Sequence, residues 1–312
     1  MNRLSSVKIL VSWWLVLACT LPVHAQEPVR PFVVRDDAGR EHTLARPVQR
    51  AIALAPSLTE LIFATGGGDR LVGVVEYSDY PAAARALPRV GSNQKLDLER
   101  IATLKPDMIF VWYHGNGQRE IERLRAMGIP MFYLEPKHLD DLPAVFERLG
   151  RLFGTEAAAR DASTRYRARL ASQRARHAGV PRVRTFYQIW SQPLMTINGT
   201  HLISDVMALC GGENVFADQP MLVPQLSTES VVAANPEVIL AAHRSRDDAD
   251  LAPLRDPQAQ SLAHWQRYTS MRAVKNGQVW TIPGDLIARH GPRILDAADA
   301  VCTALDAVRA AR

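Results

Sequence analysis

The chain reads as an α/β protein of two similar lobes, each built on a mainly parallel sheet, joined by one long helix. Three observations carry that reading. LDLERIATLKPDMIFVW (96–112) aligns without a gap on LSTESVVAANPEVILAA (226–242), placing Glu99 on Glu229, Pro106 on Pro236 and Asp107 on Glu237. Short apolar strands alternate with helical segments in both halves, the pattern of βαβ units. Between the halves, from Leu142 to His177, no strand pattern occurs. Copies 130 residues apart imply duplicated domains, because solenoid repeats run about 20–50 residues.

The elements follow in order. Residues 31–48 form a hairpin, FVVRD and REHTL around a turn at DAG. RAIALAP (50–56) is a strand; Ser57 is expected to cap the next helix, with Glu60 completing a capping box. That helix, LTELIFATG, stops at the glycine run 66–68, and LVGVV (71–75) is the next strand. A helix at 97–104, a strand at 107–112, a helix at 117–127 and a strand at 130–134 continue the alternation. AVFERLGRLFG makes one helix. TEAAARDASTRYRARLASQRARHAG, rich in the strong helix formers Ala and Arg, makes a longer one with Thr155 as its expected N-cap. A helix is a stiff spacer, unlike a Gly/Ser linker. The pattern restarts with a strand RTFYQIW (184–190) and a helix HLISDVMAL (201–209) ended by Cys-Gly-Gly. SDVMALCGGENVFA thereby echoes TELIFATGGGDRLVG of the first half. A weaker strand lies at 279–282, and a final helix starts near Pro292 with Ile294, Ala298, Val301, Cys302, Leu305 and Val308 on one face. The expected divisions are a signal peptide at 1–25, an N-terminal lobe at 26–154, a bridging helix at 155–179 and a C-terminal lobe at 180–312.

Arg3 and Lys8 precede an apolar run, ILVSWWLVLACTL, and then VHA, the three regions of a secretory signal cut after Ala25. The run is shorter than the about 20 residues of a membrane span. A rival reading makes Val-Leu-Ala-Cys19 a lipobox, with Cys19 lipidated and the protein tethered. Either way export to the periplasm is expected. Without Cys19 two cysteines remain, Cys210 and Cys302; an even pair in an exported chain suggests a disulfide, two buried free thiols being the alternative. The net charge of +5 falls to +3 without the leader, which argues against nucleic acid as a partner. The basic run 165–177 reads as a solvated helix face.

The motifs of several enzyme classes are absent. There is no phosphate-binding G-x-x-x-x-G-K-[ST], no G-x-G-x-x-G after a strand, no G-x-S-x-G, no H-E-x-x-H and no Cys-x-x-Cys. No catalytic residue, cofactor or resident metal is expected. His114, His138, His201, His243 and His290 fall near loops, where hydrogen bonding is the expected role and convergence on a zinc-type ion the alternative. Aromatics close several strands: Tyr77 and Tyr80 after 71–75, Trp112 and Tyr113 after 107–112, Trp190 after 184–190. Ligands of open α/β sheets bind outside the carboxyl ends of the strands, so Tyr77, Trp112 and Trp190 are candidate walls for a large flat ligand. Glu99 and Glu229 each lie in a helix first turn, favourable to the helix dipole. Their equivalence also suits a two-fold partner carrying two cations.

VGVVEYSDYP (72–81), LDLERIATLKPD (96–107) running on to Trp112, LCGGENVF (209–216), PQLSTE (224–229) and GPRILDAADAVCTAL (291–305) together resemble periplasmic cobalamin-binding proteins, the substrate-binding components of ABC importers. The resemblance covers nearly all of the expected mature chain. It implies two Rossmann-like lobes bridged by a single long α-helix, the class III architecture, closing little around a ligand held in the cleft. It places ligand contacts on Tyr77, Trp112, Ser57 and Leu58, on Met195, and on Asp285 and Arg289; Trp190 is added from the residues. It places the permease-docking glutamates on Glu99 and Glu229, the disulfide on Cys210 and Cys302, and implies a monomer. Three family aromatics are replaced, by Asn93, Val223 and Met195. The implied ligand is cobalamin or a related corrinoid; a haem or iron-siderophore receptor is the alternative, and a metal-ion receptor a third reading. No side chain stands out as a ligand to the corrinoid cobalt.

Overall fold

A computed structural model describes residues 31–92, 95–243 and 252–312. The expected leader, Cys19 and Asn93 lie outside these residues.

The chain opens with an antiparallel hairpin of β1 (Phe32–Arg35) and β2 (Glu41–Leu44). β3 (Ala51–Ala53), α1 (Pro56–Ala64), β4 (Leu71–Val74), α2 (Leu98–Leu104), β5 (Met108–Trp112), α3 (Gln118–Ala126) and β6 (Met131–Leu134) build the first lobe. α4 (Leu142–Phe153) and α5 (Glu156–Arg176) follow. The second lobe holds β7 (Val183–Gln188), a small hairpin of β8 (Trp190–Ser191) and β9 (Leu194–Met195), α6 (Leu202–Leu209), β10 (Gly212–Asn214) and α7 (Thr228–Ala234). β11 (Val238–His243), β12 (Leu254–Arg255), α8 (Arg272–Lys275), β13 (Val279–Pro283), α9 (Gly284–Ile287) and α10 (Ile294–Ala310) complete it.

The first sheet has the order β4-β3-β5-β6, all parallel; the second is β10-β7-β11-β13-β12, parallel except for β12. The expected echo is therefore a topological one: β4, β3, β5 and β6 occupy the places of β10, β7, β11 and β13. β6 (MFYL) is buried throughout and β5 (MIFVW) everywhere but its last residue, as sheets covered on both faces require.

The repeated stretch builds the same joint in each lobe. Asp97 caps α2 by accepting from Arg100 N at 2.9 Å, and Ser227 caps α7 by accepting from Ser230 N at 3.1 Å. Each helix ends on a left-handed residue before its proline, Lys105 at φ 46° and Asn235 at φ 43°. The carboxylates of Asp107 and Glu237 then accept from the backbone N–H of Arg50 and Arg184, at 3.0 Å each. The guanidinium of Arg50 donates to Leu104 O and that of Arg184 to Ala234 O, closing the last turn of each helix.

α5 spans 21 residues, about 32 Å at 1.5 Å per residue. It buries Ala159, Ala162, Ser163, Tyr166, Leu170 and Gln173, a stripe at helical spacing. Gly150 of α4 lets the two helices close up, since a Cβ there would sit 2.4 Å from Ala159 Cβ. Cys210, at the end of α6, is disulfide-bonded to Cys302 in α10.

Two expected caps differ. Ser57 lies within α1, whose N-cap is Ala55 with Pro56 entering the helix, and Glu60 is drawn away from the cap by two arginines described below. Thr155 occupies the N-cap of α5, but its hydroxyl is sealed without a partner because the side chain packs beside Gly66. Among the described residues, no helix is long and apolar enough to cross a membrane.

Candidate functional site

The carboxyl ends of both sheets meet in one cleft. Trp112 closes β5, Glu135 follows β6, Ile189 follows β7 and Asp285 follows β13. At the cleft floor a cavity of about 180 Å3 is lined by Trp112, His114 and Lys137 of the first lobe and by His201, Val223 and His290 of the second. That is below the roughly 300–1,000 Å3 of a pocket enclosing a drug-sized ligand. It is the size for one arm of a larger molecule spanning the open cleft. A larger hollow, about 680 Å3, lies on the first lobe alone, around Tyr113, Arg125 and Tyr133.

Trp112 is held by local chemistry. Its backbone N–H donates to Asn116 Oδ1 at 2.8 Å, and Asn116 Nδ2 donates to Leu54 O at 2.8 Å, clamping the loop to the end of β3. The indole lies against Gly115, where a Cβ would come within 1.8 Å of the ring. Glycine at 115 is thus a requirement of the tryptophan's position. Its ring meets His290 edge-on, centroids 6.1 Å apart. Tyr77 stands on the loop after β4 with 62% exposure and a left-handed φ of 63°, uncommon for a non-glycine residue and a mark of functional loops. Trp190, also 62% exposed, pairs with Met195 across the β8–β9 hairpin and donates Nε1–H to Gln192 O at 2.9 Å. Trp112 and Met195 are half-buried, whereas Ser57 and Leu58 are buried at the start of α1, against the backbone around Gly291.

Asp285 and Arg289 belong to an ion cluster across the lobes. Arg289 donates from Nη1 to Glu60 Oε1 at 3.0 Å and Asp79 Oδ1 at 2.9 Å, and from Nη2 to Asp285 Oδ1 at 2.8 Å. Arg293 donates Nε and Nη2 to the two oxygens of Glu60, at 2.9 and 2.7 Å, and lies 3.8 Å over the Tyr80 ring. The Glu60 side chain is 1% exposed. Burial opposes the charge on Arg289, but hydrogen bonding to Glu60 and the field of Asp285 outweigh it and hold the group above its usual range. The sequence reading assigns Glu60 a capping role alone and assigns Asp79 and Arg293 none. A lone glutamate inside the apolar helix TELIF was the available signal.

His201 and His290 are neutral at neutral pH. Burial pushes His201 down to about 4, and burial joined by the nearby His201 ring pushes His290 down to about 3. His114 Nδ1 is paired with Glu135. Among the described residues no group of three or more His, Cys, Asp or Glu is arranged to hold a metal ion. Glu99 and Glu229 are exposed in the first turns of α2 and α7, one on each lobe.

Two lobes with matching parallel sheets, a long connecting helix and a cleft lined from both sides define a class III binding protein. The family model described as periplasmic binding protein matches residues 52–286, and the chain belongs to that family. It is 38% identical over 259 residues to the vitamin B12-binding protein of Vibrio cholerae serotype O1, spanning 83% of this chain and 90% of that one. The crystal structure of the periplasmic vitamin B12 binding protein BtuF of Vibrio cholerae aligns with a TM-score of 0.73 at 36% identity, over 84% of this chain and 98% of that one. The periplasmic heme-binding protein RhuT from Roseiflexus sp. RS-1, in apo form, aligns with a TM-score of 0.68 at 23% identity, over 83% and 99%, and shares the fold.

Proposed function

We propose that the protein captures cobalamin or a related corrinoid in the inter-lobe cleft and delivers it to an ABC import permease. The observation that carries this is the cleft floor: Trp112, pinned by Asn116 and Gly115, presents a flat apolar face beside a cavity fed by both lobes. Likeness to the vitamin B12-binding protein over nine-tenths of its length supports the choice of ligand. Tyr77, Trp190 and Met195 would line the upper cleft, with Ser57 and Leu58 shaping its wall. Asp285 and Arg289 would act mainly by holding the lobes in register, because Arg289 is already shared among three carboxylates.

A haem ligand would need cations for its two propionates, and Arg289 and Arg293 are both committed to Glu60. That observation favours an amide-bearing corrinoid over haem. Glu99 and Glu229 would dock on the two halves of the permease through its arginines. The organisation follows: a leader at 1–25 directing export, or a lipid on Cys19; lobes at 26–154 and 180–312; a bridge at 155–179; and a monomer in the periplasm that turns over no substrate and binds no nucleic acid.

The test is Trp112→Ala. Cyanocobalamin should quench the tryptophan fluorescence of the native protein saturably, and the variant should bind at least tenfold more weakly. Undiminished affinity in the variant, or tighter binding of haemin than of cyanocobalamin, would overturn the assignment.

A further inference from the structure

His201 and His290 come from different parts of the second lobe, the N-cap of α6 and the turn before α10, yet their rings meet edge to face at 5.2 Å in the cleft floor. Each is more than nine-tenths buried. Both line the same cavity, with Val223 beside them.

The tautomer of His201 is set by its cap. Nδ1 accepts from Ile203 N–H at 3.1 Å, so in the neutral ring the proton sits on Nε2. Among the described residues nothing accepts from that Nε2–H, nor is it among the sealed polar atoms; it opens on the cavity. Open to the cavity, that donor is free to meet an acceptor that arrives with a ligand. His290 has Nδ1 sealed without a partner, leaving Nε2 as its outward atom. Burial keeps both rings uncharged at neutral pH, so the floor offers neutral donors where a carboxylate would want a cation. The first lobe contributes charged lining groups, Lys137 and Glu135, which are opposite in sign.

We propose that His201, with His290 packed against it, is a specificity-determining residue that receives a peripheral amide carbonyl of the macrocycle through Nε2–H, and so selects amidated corrinoids over the carboxylate-bearing forms. This rests on the corrinoid reading above. The peripheral arms of a corrin are acetamides and propionamides in the finished ligand and carboxylates in its unamidated precursors. A carboxylate placed against the histidine pair gives up its hydration for a neutral donor, whereas an amide exchanges one neutral hydrogen bond for another.

The experiment is a fluorescence titration with dicyanocobinamide, which is amidated, and dicyanocobyrinic acid, whose arms are carboxylates; both present cobalt capped by cyanide. Three proteins are compared: native, His201→Asn and His201→Gln. Asn places an oxygen where Nδ1 was, keeping the α6 cap and removing the Nε2 donor. Gln places an amide N–H near Nε2, keeping the donor and losing the cap. The native protein should prefer dicyanocobinamide by at least tenfold. His201→Asn should lose about tenfold for dicyanocobinamide and little for the acid, while His201→Gln should bind nearly as the native protein despite a lower melting temperature. A structural role alone gives the opposite order, with Gln the weaker binder. Equal affinity of the native protein for the two probes overturns the inference and leaves the corrinoid assignment standing. Quenching by neither probe nor by cyanocobalamin overturns both.

Discussion

The two lobes share a joint and differ in how they are reinforced. α2 and α7 carry the same cap, the same left-handed exit, the same acidic clamp on the neighbouring strand and the same arginine closing the last turn. Outside that joint they diverge. The second lobe adds an antiparallel edge strand, β12, and a disulfide between α6 and α10. The first lobe has α3 between β5 and β6, and contributes the pinned Trp112. What has been kept alike is the outward helix bearing Glu99 or Glu229. What has drifted is the cleft, where one lobe supplies an indole and the other two imidazoles. Selection on a symmetric partner and on an asymmetric ligand would leave this division.

The comparison breaks most visibly at α2 and α7, the helices for which docking is proposed. Glu99→Ala with Glu229→Ala should abolish uptake in cells while leaving ligand affinity within twofold, and each single variant should lie between. Uptake unchanged by the pair would remove the reason for the repeat. The next largest effect concerns the unequal reinforcement. Replacing Cys210 and Cys302 with serine opens a loop with a sequence separation of 92, for which the chain-entropy model gives about 4–5 kcal/mol. Urea unfolding should show that loss, with protease cuts appearing first in the second lobe. Glu60→Gln comes third. It leaves Arg289 and Arg293 short of a buried counter-charge and should cost about 3 kcal/mol, with the lobes separating more readily by small-angle scattering.

Acid should sharpen the difference between the two sides of the cleft. His201 and His290 titrate near 4 and 3 in the folded protein against 6.5 ordinarily. Below about pH 6.5 the unfolded chain takes up protons that the folded one refuses, so stability falls as pH drops from 6.5 toward 4. The urea midpoint should decline over that window, and His201→Asn should flatten the decline. The smallest effect tests the shared joint itself. Asp97→Ala and Ser227→Ala should each cost about 1 kcal/mol, equally in the two lobes, by thermal unfolding.

The fold was legible because its signals are local and repeated. The ungapped echo, the alternation of strand and helix, and the strand-free stretch from Leu142 to His177 gave the lobes and the bridge. Trp112 was legible as a strand-closing aromatic and Tyr77 as one just past a strand, whereas Trp190, expected to close the strand 184–190, opens β8 beyond the end of β7 at Gln188. The ion cluster was not, because Glu60 and Arg289 are 229 residues apart and Glu60 mimics a capping box three places after Ser57. The histidine pair was hidden for the same reason: His201 and His290 share no periodicity, and only the packing of α6 against α10 brings them together. Thr155 shows the limit of cap rules, since packing beside Gly66 overrode an ordinary N-cap residue.

The central claim is that the cleft takes a corrinoid. Isothermal titration of the protein lacking residues 1–25 with cyanocobalamin tests it most directly. A single saturable site with micromolar or tighter affinity is the predicted result. No heat at any temperature tried, together with unchanged tryptophan fluorescence, would contradict it.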